Sequence, residues 1–133
     1  MNIRLVSELP ELSNKYPIKI YMHLETFRLH VLDITLHIQS SYPFTPPSIT
    51  IEDLDWCSFC SIKECSGTLV KKYSGHNCLC CNSKLQNWSP IMSINTVIDE
   101  VDNIKRIKNK IFCEYVLIIV FPIEIINKIN DYF

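Results

Sequence analysis

The sequence predicts an α+β domain, a meander of strands followed by an irregular cysteine-rich segment and then helices. Three observations carry this. Ile18, Ile20, Met22 and Leu24 alternate with Lys19, Tyr21 and His23, as in a half-buried strand. Residues 53–87 have no sustained period and hold six of the seven cysteines. Beyond Pro90, Ile94, Val97, Ile98, Val101, Ile104 and Ile111 recur at helical spacing.

Each element has a local reason. Phe27, Leu29 and Val31 alternate with Arg28 and His30, and the apolar set then changes phase to Ile34, Leu36 and Ile38. A period of two cannot change phase without a turn or bulge, so Leu32-Asp33 marks one. The polar positions Lys19, Tyr21, His23, Arg28, His30, Thr35 and His37 are assigned to the open side of the sheet. Pro43, Pro46 and Pro47 forbid regular ladder pairing and predict a kinked connection to a short strand over 48–52. Ser93 is the expected N-cap of the long helix, with acidic residues early and basic residues late, in accord with the helix dipole. Tyr115 to Phe121 reads as a buried strand or helix, Cys113 as a core residue, and Pro122 as the first turn of a short last helix.

Composition bounds the function. At 133 residues the chain is expected to form one domain over 1–133 with a single core. A net charge of −1 offers no general attraction to nucleic acid or to an anionic membrane, so neither is an expected partner. Lys105, Arg106, Lys108 and Lys110 read as the wet face of a helix. Residues 1–10 hold no signal-peptide core, and Tyr115 to Phe121 is far short of a bilayer span. An odd cysteine count at tight spacing argues against a secreted disulfide framework and for a reducing intracellular compartment, cytoplasm or nucleus. Absent alanine with abundant Ile, Asn and Lys fits an AT-rich genome, such as that of a large DNA virus or a protist.

One ordered series stands out: Tyr42-Pro43-Phe44-Thr45-Pro46-Pro47, then Gly75-His76-Asn77-Cys78-Leu79, then Trp88-Ser89-Pro90 and Ser93-Ile94-Asn95-Thr96-Val97-Ile98. In this order it resembles the core of the ubiquitin-conjugating enzymes, over roughly residues 16–111. The resemblance implies the ubiquitin-conjugating fold, with Cys78 accepting ubiquitin or a ubiquitin-like protein as a thioester and passing it to a lysine. It implies an activating enzyme and a ligase as partners and requires no cofactor; a monomer is expected. His76 and Asn77 are the candidate supporting residues, since an unassisted thiol is only slightly ionised at neutral pH. The chain departs from the family in lacking its His-Pro-Asn, in a longer connection from Tyr42 to Cys78, and in a first helix shortened to something near Asn2–Glu8.

The same cysteines admit a second job. Cys57-x-x-Cys60 and Cys78-x-x-Cys81 have the spacing of a four-cysteine structural zinc site. Cys65, His76 and Cys80 are spare ligands, so a set that leaves Cys78 free also exists. Binding zinc through Cys78 would remove it as a nucleophile. The alternative function is therefore a catalytically inactive binding module of the same fold, or of the related RWD type, whose cysteine loop is held by zinc.

Overall fold

A computed structural model describes residues 2–62 and 67–120. It is an α+β domain in which five antiparallel strands run side by side in sequence order: β1 (Ile18–His23), β2 (Thr26–Val31), β3 (Ile34–Ile38), β4 (Ser48–Ile51) and β5 (Leu54–Asp55). Among the described residues four helices accompany them: α1 (Ile3–Lys15), α2 (Trp56–Cys60), α3 (Gly67–Ser74) and α4 (Ile94–Val120).

The phase change at Leu32-Asp33 is a two-residue hairpin loop, because Val31 pairs directly with Ile34. Leu29, Val31, Ile34, Leu36, Ile38, Ile49 and Ile51 then share one buried face. They join the α4 stripe from Ile94 to Ile111 and Leu5 and Leu12 of α1 in a single core. Hairpin turns here use left-handed residues without glycine: Leu24 (φ 55°), Leu32 (φ 56°), Glu52 (φ 53°) and Asp53 (φ 64°). That conformation costs a β-carbon-bearing residue about 1–2 kcal/mol, while Asn tolerates it. Leu32→Asn, at a largely exposed turn, should therefore raise stability by roughly 0.5–1 kcal/mol. The check is the urea midpoint, and a fall would show that the leucine side chain outweighs its backbone cost.

Four expectations need correction. The first helix continues through Pro10 to Lys15 instead of ending near Glu8. Proline at 10 removes the N–H that would serve the Val6 carbonyl, but Val6 is 44% exposed, so solvent can satisfy it. Burial of Leu5 and Leu12, two turns apart on one face, holds the helix together across the proline. In β1, the edge strand of the sheet, Ile20 and Met22 are exposed rather than half-buried. Cys113 is exposed, not core: it follows the buried Ile111 by two residues, about 200° around the helix. Finally, residues 53–87 contain two short helices, α2 and α3, which are too brief to show a period in sequence.

Ser93 caps α4 as expected, its Oγ accepting from the Thr96 amide at 3.3 Å and its own amide donating to Thr96 Oγ1 at 3.2 Å. The α4 N-terminus receives a second acceptor from across the fold, since Ile94 N–H donates to Glu8 Oε1 at 2.7 Å. Residues 115–120 continue this helix; the expected last helix after Pro122 lies outside the described residues. No described helix is long and apolar enough to cross a membrane.

Candidate metal centre in the cysteine loop

Short helix α2 starts the site. Asp55 caps it, Oδ1 accepting from Ser58 N–H at 2.8 Å. Successive residues of a helix step by 100°, so Trp56, Phe59 and Cys60 fall on one arc and are buried, and Cys57 stands at its exposed margin. On the other side, α3 ends at Gly75, whose left-handed φ of 79° turns the chain and whose amide reaches the Lys71 carbonyl at 2.8 Å. The loop then carries His76, Asn77 and Cys78 back toward α2.

Ser83 fastens this loop. It is buried, accepts from Trp56 Nε1 at 2.9 Å and donates to the Cys80 carbonyl at 2.6 Å. Asn87 Nδ2 donates to the carbonyls of Cys81 and Ser83 at 3.2 and 2.9 Å. Beyond it, Trp88 Nε1 donates to the Pro43 carbonyl at 2.7 Å, and the Trp88 ring lies 6.1 Å from that of Tyr42. Tyr42 precedes a cis peptide bond to Pro43 and donates its hydroxyl to Glu8 Oε2 at 2.5 Å. Burial and the Glu8 carboxylate together push the Tyr42 phenol well above its ordinary range. Arg4 completes the brace by donating to the carbonyls of Pro90 and Met92, both at 3.0 Å. Tyr-Pro-Phe and Trp-Ser-Pro, far apart in sequence, are thus one packed unit beside the loop.

Within the loop, Cys78, Cys80 and Cys81 turn their sulfurs toward one another, all within 4.8 Å. Cys78 Sγ and Cys80 Sγ are 3.1 Å apart, and Cys80 Sγ and Cys81 Sγ 3.9 Å. Cys78 is brought down to about 7 by hydrogen bonds from the Cys80 thiol and from the Cys81 backbone and side chain. The donors pay the opposite way: Cys80 is raised by its bond to Cys78 and by burial, and Cys81 by its bond to Cys78. Cys57 stands close enough to Cys80 to raise it further, and accepts from Gln86 Nε2 at 3.5 Å. One proton leaves such a cluster readily and the next resist, which is the condition a cation relieves. Three convergent thiols can bind a metal ion.

This set differs from the pairing that spacing suggests. Neither Cys57 nor Cys60 is in the cluster: Cys57 stands beside it, and Cys60 is sealed in the core at 4% exposure, where burial pushes its thiol up to about 12. Cys80, a spare by spacing, is at the centre, and Cys65 lies outside the described residues. Two of the four residues that spacing suggests, Cys78 and Cys81, are in the cluster, while Cys57 and Cys60 are on a helix that turns Cys60 inward. His76 and Asn77 are exposed; His76 is tied through its backbone to Ser74 Oγ, and neither side chain has a hydrogen bond to Cys78.

No family model matches the chain, and no curated protein or solved structure matches it.

Proposed function

We propose that this chain is a ubiquitin-conjugating-like domain working as a protein-interaction module, its cysteine loop locked by structural zinc on Cys57, Cys78, Cys80 and Cys81. The observation that carries the reading is the convergence of the Cys78, Cys80 and Cys81 sulfurs within 4.8 Å. An all-thiolate set favours zinc, which takes four such ligands tetrahedrally. Cys57, beside Cys80 at the margin of α2, is the natural fourth. The loop needs such a clasp, because between Gly75 and Trp88 only Leu79 and Ser83 are buried. Element order supports the fold assignment: a first helix, a strand meander, the Tyr42-Pro43 turn packed on Trp88, then a capped long helix.

A second reading keeps Cys78 as a thioester acceptor. It is supported by the partial exposure of Cys78 and by the Trp88–Tyr42 packing, which joins the residues on which the resemblance rests. The two readings differ over one sulfur, so one assay divides them. Incubated with an activating enzyme, ATP and ubiquitin, the protein should form no adduct, and purified protein should carry one equivalent of zinc. A reductant-labile adduct that is lost in Cys78→Ser and kept in Cys113→Ser would establish the thioester reading instead.

A further inference from the structure

The sheet face turned away from the core has a charge pattern unlike the chain as a whole. Strand register sets Lys19 opposite His30, Tyr21 opposite Arg28 and Arg28 opposite His37, with His23 at the end of β1. Three of the four histidines and two permanent cations therefore share one surface. The other positions that β1 to β4 direct to this side are hydroxyl residues, and the carboxylate on this face is Asp55 of β5, opposite Thr50 at the far edge of the sheet. The whole chain has 14 acidic residues against 13 basic ones, so the segregation is local.

These charges are not consumed within the fold. Among the described residues neither Lys19 nor Arg28 enters an ion pair, although Arg4, Lys15, Lys72 and Lys105 all do. At the β1–β2 hairpin end the face opens into a shallow groove of about 540 Å³, with Tyr21, His23, Arg28 and His37 in its lining.

We propose that this face docks an acidic, extended segment of a partner protein, with carboxylates received by Arg28, Lys19 and the imidazoles. Guanidinium and ammonium groups bind carboxylates through charge-assisted hydrogen bonds, and the two-residue spacing of a strand repeats such donors along the groove. Nucleic acid fits less well. Two permanent cations release few counterions, and the one aromatic ring on the face, Tyr21, is already edge-on to His30 at 5.3 Å. The inference rests on the interaction-module reading but uses none of its cysteines, so its failure would leave the zinc content to be judged separately.

The test is fluorescence anisotropy of a labelled glutamate-rich decapeptide with the full-length protein, beside a neutral decapeptide and a single-stranded oligonucleotide of equal charge. The acidic peptide alone should bind, and its affinity should fall roughly tenfold from low to high salt. Arg28→Glu should weaken it by at least about tenfold and Arg28→Gln by less, while Arg106→Glu on the exposed side of α4 should change nothing. Zinc content and melting temperature, measured on the same variants, should be unaltered. Undiminished binding by Arg28→Glu, absence of peptide binding, or preference for the oligonucleotide would each overturn the proposal.

Discussion

Treated with a strong chelator, the purified protein should lose its metal and its melting temperature should fall sharply, with residues 75–90 becoming accessible to protease before the sheet does. Structural zinc in isolated fingers contributes an apparent 10–16 kcal/mol of folding free energy at neutral pH, on the order of the whole stability of a typical domain. Here β2 to β4 and α4 have a core of their own, so the first loss should be local, confined to the loop that Ser83 and the sulfurs hold. Single variants separate the ligand sets. Cys80→Ala should abolish stoichiometric zinc and lower the melting temperature, whereas Cys113→Ala, exposed on α4, should do neither. Cys60→Ala should keep its zinc and lose only the small packing contribution of a buried thiol, about 1 kcal/mol. Zinc lost from Cys60→Ala and retained by Cys80→Ala would restore the pairing that spacing suggests. Protein isolated without metal, and unmoved by chelation, would leave a cluster of reduced structural cysteines.

Leu36→Ala should destabilise the domain by roughly 2–5 kcal/mol, the range for large-to-small changes in a packed core. Leu36 is 0% exposed and lies between Leu29 on β2 and Ile49 on β4, at the centre of the buried face. A cavity there cannot be filled by a sliding surface chain, since both neighbouring strands are hydrogen-bonded in register. Thr35→Ala, on the opposite face, removes only a contact between Oγ1 and His30 Nδ1 at 3.2 Å and should cost under about 1 kcal/mol. Urea denaturation of the two variants makes the comparison. Equal losses would mean that the strand presents its other face to the core.

The core was legible because its signals are local and periodic. Alternation over 18–38 with two changes of phase dictates two hairpins, and the isoleucine and valine stripe after Ser93 dictates a helix with one buried face. The polar side of the sheet followed from the same alternation and is open as expected. The exposure of Cys113 was also available locally, as a two-residue step from Ile111 that points the opposite way. The site was less legible. Cys57 and Cys60 look equivalent in sequence, and only the packing of Trp56 and Phe59 against the core decides that Cys60 goes inside.

By itself, then, the sequence determined the class of fold, the strand phases, the long helix and the segment in which the chemistry must be sought. The tertiary structure decided that a helix survives Pro10, that Trp88 closes on Tyr42, and that Cys80 rather than Cys60 meets Cys78 and Cys81. The division is physical. Periodicity records how one segment divides between core and water, and each segment carries that record alone. Which sulfurs meet depends on bonds between segments far apart in the chain, such as Trp56 to Ser83, whose energies no single segment contains.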